Sequence, residues 1–292
     1  MPFTCFSKLH DQLVQPIIDY GAGVCGYKSF SCINSVQFRA SRYYLGVGPK
    51  TPLAVLYGET GWRQPQHRIW LCVIRLWRRL SNMDTRRLNR KVFVWARSQR
   101  SYLSNISSHL NGLDVGELLD TVSGVSPGFA VSTLDNVLTI FYEDQWKREV
   151  DREEAAQGQG RNKLRTYRLF KRQPHCEKYV SAIMPKKFRS ALAKIRSGTA
   201  PIRLESGRFE RPPIPEEART CVFCEAKEIE TEEHFVIRCE QYADMRQVLF
   251  QSASIHDVNF MLKPDIEKLI FVLSQPEIMY ECAKAICDML NR

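Results

Sequence analysis

Residues 221–239 read CVFCEAKEIETEEHFVIRC, and within them Cys221, Cys224, His234 and Cys239 stand in a C-x2-C-x9-H-x4-C spacing. Two thiols on one tight turn, closed by an imidazole and a third thiol across a short loop, can surround a tetrahedral ion at about 2.0 to 2.3 Å. Zinc takes that geometry with sulfur and nitrogen ligands. The spacing therefore predicts zinc. All four ligands belong to the protein and leave no position for water or substrate, so the expected metal holds a fold and performs no reaction. Cysteine is also a common core residue. The other thiols, Cys5, Cys25, Cys32, Cys72, Cys176, Cys282 and Cys287, show no such clustering and read as core or incidental.

The chain around this segment has 292 residues, 44% hydrophobic and 11% aromatic, enough for two ordinary domains with sizeable cores. Its start, MPFTCFSKLH, has no basic segment leading into an apolar run, and the longest apolar stretch, Ile69 to Ile74, ends at Arg75. Neither a signal peptide nor a membrane span is expected, and an intracellular protein of the nucleus or cytoplasm is. In a reducing compartment clustered thiols favour metal over disulfides.

The net charge of +10 is unevenly spread. Residues 63–100 hold eleven Lys or Arg against Asp84 alone, and residues 161–199 hold twelve against Glu177 alone, while the remainder is net acidic. Concentrated Lys and Arg are the footprint of phosphate-backbone binding. Charge runs on helices are also ordinary solvated faces, but such faces carry Glu partners at i,i+4, and these blocks lack them. RNA or DNA is the expected partner.

Apolar periodicity predicts a mainly α chain. Leu9, Leu13, Ile17 and Tyr20 mark one helix face, and Ile33, Val36 and Tyr43 another that ends at the GVGP turn of Gly46 to Pro49. Ile69, Val73, Leu76, Trp77 and Leu80 recur at helical spacing, with Arg68, Arg75 and Arg79 on a different arc. Trp62, Trp70, Trp77 and Trp95 read as core anchors. Residues 101–133 are loop-prone, Leu134 to Phe141 opens a helix, and the QGQG run at 157–160 reads as a linker. Basic helices follow around Leu164 to Phe170 and Pro185 to Ile195. Alternating Ile202, Leu204 and Phe209 suggest a short strand before the cysteines, giving that region α+β character, and 262–290 reads as two helices split near Pro276.

The segments LVQPIIDYGAGVCG (13–26), VQFRASRYYLGVGPKTP (36–52) and LYGETGWRQPQHR (56–68) resemble the region after the catalytic palm of reverse transcriptases from non-LTR (LINE-type) retrotransposons. LAKIRSGTAPIRLESGRFE (192–210), CVFC (221–224) and IETEEHFVIRCEQYADMR (229–246) are similar to the cysteine-histidine region at the C-terminal end of the same polyproteins, and the segments keep the family's order. The resemblance implies a thumb-like helical region at 1–100, a helical connector at 101–160, and a basic C-terminal region at 161–292 with a CCHC zinc knuckle at 221–239. It supports Cys221, Cys224, His234 and Cys239 as metal ligands, and it makes the basic helix of Arg68, Arg75, Arg78 and Arg79 a backbone contact. Arg86, Arg87, Lys186, Lys187 and Arg189 extend that expected contact set. Other parts of the retrotransposon polyprotein are expected partners.

Fingers and palm, with the paired aspartates of two-metal nucleotidyl transfer, would lie upstream of these segments in that family. The expectation is therefore a non-catalytic remnant that binds RNA or DNA. The alternatives are the C-terminal part of an active RNA-directed DNA polymerase, and a host-adopted protein-interaction module. The tetrapeptide YADM at Tyr242 to Met245 lacks the second Asp of a polymerase motif. Tyr242 is expected to pack on the knuckle and Asp244 to be solvated.

Overall fold

The computed structural model describes residues 1–28, 31–99, 102–119, 126–152 and 163–292. The expected linker at 157–160 lies outside them. The described chain is mostly helical and contains no strand, only an isolated antiparallel bridge between Thr220 and Ile229. Its longer helices are α1 (Ser31–Leu45), α2 (Leu53–Thr60), α3 (Pro65–Ser81), α4 (Leu88–Ser98), α5 (Tyr102–Asn111), α6 (Pro127–Asp151), α7 (Lys186–Arg196), α8 (Ala243–His256), α9 (Asp265–Ser274) and α10 (Met279–Leu290).

These elements form two compact units that are interleaved along the chain, where the sequence division ran linearly at 100 and 160. One unit comprises Met1–Thr4, Phe38–Trp62 and Trp146–Arg292, and the other comprises Cys5–Gln37 and Arg63–Gln145. Helices α1 and α6 each contribute to both.

The second unit is built on α3. Trp70, Val73, Ile74 and Trp77 of α3 are buried with Phe93 and Ala96 of α4, Leu103, Ile106 and Leu110 of α5, and Ala130, Leu134 and Leu138 of α6. The Trp77 indole N–H donates to the Leu119 carbonyl at 3.1 Å, and its ring meets Phe93 edge-on at 5.1 Å. Truncating Trp77 to Ala would cost about 3–5 kcal/mol, the usual figure for a buried aromatic. Helix α5 replaces the loop expected from Ser101 onward. Leu103, Ile106 and Leu110 share one face and are fully buried, and that burial outweighs the weak helix propensity of the intervening Ser and Asn residues. The N-terminal stretch Phe3–Leu9, His10–Val14 and Gln15–Asp19 is helical as expected, but Leu9, Leu13, Ile17 and Tyr20 are exposed, whereas His10 and Gln15 are buried.

In the first unit, Ala54, Val55 and Tyr57 of α2 pack with Trp146 and Val150 of α6 and with Leu164 and Tyr167. The Trp146 indole N–H donates to the Ala54 carbonyl at 2.8 Å. Gly58 lies where these elements meet most closely: a Cβ there would stand 2.2 Å from the Tyr167 hydroxyl. Helices α7, α8 and α9 all pack on α10. Helix α7 is followed by a turn at Gly198, which adopts φ +60°, a conformation glycine takes without steric cost.

A buried ion network ties this unit together. Glu59 of α2 accepts from Arg196 Nε at 3.0 Å and Nη2 at 2.9 Å, Arg196 also meets Glu177 at 3.3 Å, and Lys171 pairs with Glu177. Burial alone would raise the Glu59 carboxyl, but the Arg196 guanidinium more than offsets it and holds the group below its ordinary value. Arg165 likewise pairs with Glu205 at 2.8 Å and with Glu232 at 3.2 Å. Arg165 and Arg196 of the basic block at 161–199 are thus neutralised by acids distant in sequence.

The strand expected at Ile202 to Phe209 is absent. Arg203–Ser206 and Gly207–Phe209 are short helical turns. The Ile202 carbonyl accepts from the N–H groups of Glu205 and Ser206, and the Glu230 carboxylate accepts from the Arg203 N–H. An acid at the start of the turn satisfies a donor that no strand partner reaches.

Candidate metal centre and basic surface

Cys221 and Cys224 sit on a loop anchored by the isolated bridge. The Cys221 N–H donates to the Glu228 carbonyl at 2.8 Å, and the Glu230 N–H donates to the Arg219 carbonyl at 3.0 Å. Lys227 takes a left-handed φ of 52° that reverses the chain between them. Thr231 then opens the helical turn His234–Arg238: its hydroxyl accepts from the His234 N–H at 3.1 Å. The turn is wide, closing with the Cys239 N–H on the His234 carbonyl at 2.7 Å. Residues five apart stand about 140° apart around a regular α-helix. An i→i+5 turn draws them toward one side, which suits His234 and Cys239 to a common centre.

The four side chains converge. Cys221 Sγ and Cys239 Sγ are 3.9 Å apart, Cys224 Sγ and His234 Nε2 are 3.4 Å apart, and all four candidate ligand atoms lie within 4.8 Å of one another. A tetrahedral ion with the bond lengths of zinc would space its sulfurs about 3.8 Å apart. A disulfide would need about 2.05 Å. These four residues could hold a metal ion.

Burial disfavours bare thiolates at this cluster. Burial pushes the Cys239 thiol up to about 12, with the neighbouring Cys221 sulfur among the further causes, and burial also raises Cys221. Thiolates that close in an apolar setting require a positive charge between them. On the other side of the ring, His234 Nδ1 faces Glu228 Oε2 at 3.2 Å. That partner directs Nε2 toward the sulfurs, the carboxylate–histidine arrangement that orients metal ligands. Tyr242 is buried against Phe235 at 4.9 Å and packs on the module as expected. Asp244 is exposed and meets Arg292 at 3.3 Å.

The nine candidate phosphate contacts fall into both units. In the second unit Arg75, Arg79, Arg86 and Arg87 are exposed. Arg75 borders an open groove of about 480 Å³ with Leu71, Val131 and Asp135. Arg68 is half-exposed but paired with Asp19 at 3.0 Å and Asp11 at 3.5 Å. Arg78 is only 2% exposed, so it faces the core and not a backbone. In the first unit Lys186 and Lys187 are exposed, with Lys186 over the Tyr43 ring at 4.2 Å. Arg189 is buried, donates to the Tyr44 carbonyl at 2.9 Å and stacks on that ring at 4.0 Å. Arg78 and Arg189 are therefore withdrawn from the candidate surface, because each reaches inward from its helix.

Two residues escaped the sequence reading. Glu228 belongs to no ligand spacing and becomes visible only once the loop folds beside His234. Trp95 was expected in a core, as Trp70 and Trp77 are, but it is 65% exposed; Phe93 and Ala96 fill the core side of α4 instead. Among the described residues no helix is long and apolar enough to cross a membrane. Comparison with protein-family models, curated proteins and solved structures finds no match to this chain.

Proposed function

We propose that this chain binds RNA or DNA through phosphate contacts, with the Cys221, Cys224, His234 and Cys239 cluster holding a structural zinc ion. The observation that carries the reading is the set Arg75, Arg79, Arg86 and Arg87: all are exposed, and none makes an ion pair with a described residue. Exposed cations not held in ion pairs are the electrostatic requirement for releasing counterions from a nucleic acid backbone. Four protein ligands assign the zinc to holding the C-terminal module in shape. The resemblance to non-LTR retrotransposon reverse transcriptases supports a place beside the template in reverse transcription, as a thumb-like region and knuckle that perform no nucleotidyl transfer.

Titrating a labelled RNA with the protein at two salt concentrations tests this. Affinity should fall by about tenfold or more between roughly 50 and 200 mM salt. An Arg75→Glu, Arg79→Glu variant should bind more weakly and with a shallower salt slope. Salt-independent binding, or none, would remove the proposal.

A further inference from the structure

Helix α4 presents a surface that its core packing does not explain. Its inner face is fixed to α3 by Phe93 on Trp77, by Arg90, whose guanidinium donates to the Leu80 carbonyl at 3.2 Å, and by Arg97, which lies over the Trp77 ring at 5.5 Å. The outer face carries Leu88, Val92 and Trp95, one helical turn apart and all exposed. Lys91 stands four residues before Trp95, one turn away on the same side, and Arg87 and Arg86 continue in that direction. Residues 85–98 contain no acid, and neither Lys91 nor Arg87 forms an ion pair with a described residue.

We propose, on the nucleic-acid-binding reading above, that Trp95 is a stacking platform for an unpaired base, with Lys91 and Arg87 on the flanking phosphates. The occupant is single-stranded RNA or DNA. An indole held on a packed helix and open to solvent offers a flat π-face at little entropic cost. Base stacking on such a ring tolerates any sequence, while adjacent cations track the backbone. A bilayer surface is the other partner that basic and apolar side chains suit. The exposed apolar side chains of this 11-residue helix are only Leu88, Val92, Val94 and Trp95, with Val94 set off the stripe beyond Lys91, which is too little to seat it in an interface, whereas a stacked base requires the indole alone.

Fluorescence anisotropy with the full chain and a labelled oligo(dT), a duplex of equal length, and vesicles containing anionic phospholipid separates the cases. Trp95→Ala should weaken oligo(dT) binding about tenfold to a hundredfold and leave duplex affinity nearly unchanged, and Trp95→Phe should restore most of the loss. Lys91→Glu should weaken both. Because Trp95 is exposed, these variants should keep the wild-type melting temperature. Equal oligo(dT) binding by wild type and Trp95→Ala would overturn the platform while leaving the backbone contacts of Arg75 and Arg79 standing. Loss of vesicle binding without loss of oligo(dT) binding would reassign the helix to membranes. No binding of any nucleic acid by the wild type would end the general reading and this site with it.

Discussion

Glu228 Oε2 lies 3.2 Å from Nδ1 of His234, while the opposite ring nitrogen, Nε2, faces Cys224 Sγ at 3.4 Å. A carboxylate on Nδ1 leaves Nε2 as the nitrogen available to a metal ion. Glu228→Ala should therefore weaken zinc binding about tenfold, the low end for such partners, because Glu228 is itself exposed. Competition with a chromophoric chelator measures this. The exposed Glu225→Ala serves as control, and equal affinities in the two variants would deny Glu228 its orienting role.

Metal removal should affect more than the loop. The wide turn at His234–Arg238 packs against α8 and α9, so its collapse disturbs the first unit. The purified protein should contain about one zinc per molecule, and chelation should lower its melting temperature and change its near-ultraviolet circular dichroism. Metal analysis finding none, with identical melting in chelator, would exclude a structural zinc.

Glu59 and Arg196 are both fully buried. Cutting Glu59 to Ala leaves the guanidinium with Glu177 and the Leu273 carbonyl alone, and breaking such a pair costs about 3–5 kcal/mol. Urea unfolding should show the midpoint falling accordingly. A Glu59→Leu, Arg196→Met double variant should recover much of the loss, since an apolar pair of similar volume avoids the uncompensated charge.

Arg78 and Arg79 are neighbours with opposite fates. Arg79→Ala should change stability by less than about 0.5 kcal/mol, the range for exposed sites, and weaken RNA binding. Arg78→Ala should lower stability by about 1 kcal/mol or more through lost packing of its buried stem. Thermal melts of the two variants distinguish the roles, and equal melting temperatures would place Arg78 back on the surface.

His67 is buried, with Nε2 2.7 Å from Asp135. Burial lowers its pKa below the ordinary 6.5, and the Arg63 charge assists, against the opposing pull of Asp135. The unfolded chain then takes up the proton first. The stability contribution is present above about pH 6.5 and is lost as pH falls from there through the depressed folded value. Asp135, also lowered, acts in the same direction at more acid pH. Melting temperature should drop between about pH 7.5 and 5.5, and His67→Gln should flatten that slope; an unchanged slope would show that His67 titrates normally.

Local periodicity was sufficient for the helices whose apolar residues recur regularly: α3, α7, and the pair α9 and α10 with their break at Pro276–Ile278. It failed at α5, where Ser and Asn hide a buried Leu103–Ile106–Leu110 face, and at Ile202 to Phe209, where alternation mimicked a strand. Both failures have one cause: a burial partner or a hydrogen-bond acceptor supplied from far along the chain overrides local preference.

The sequence by itself picked out the four residues that could hold a metal ion, because such a site demands particular side chains at short spacings and Cys221, Cys224, His234 and Cys239 supply them. Only the tertiary structure decided which charges are free to meet a partner. Charge counted along the chain treats Arg78, Arg79, Arg165, Arg189 and Arg196 alike. Electrostatic interaction depends on separation in space and on solvent, and folding brings Glu59, Glu205 and Glu232 to two of these arginines, buries two others, and leaves Arg79 in water.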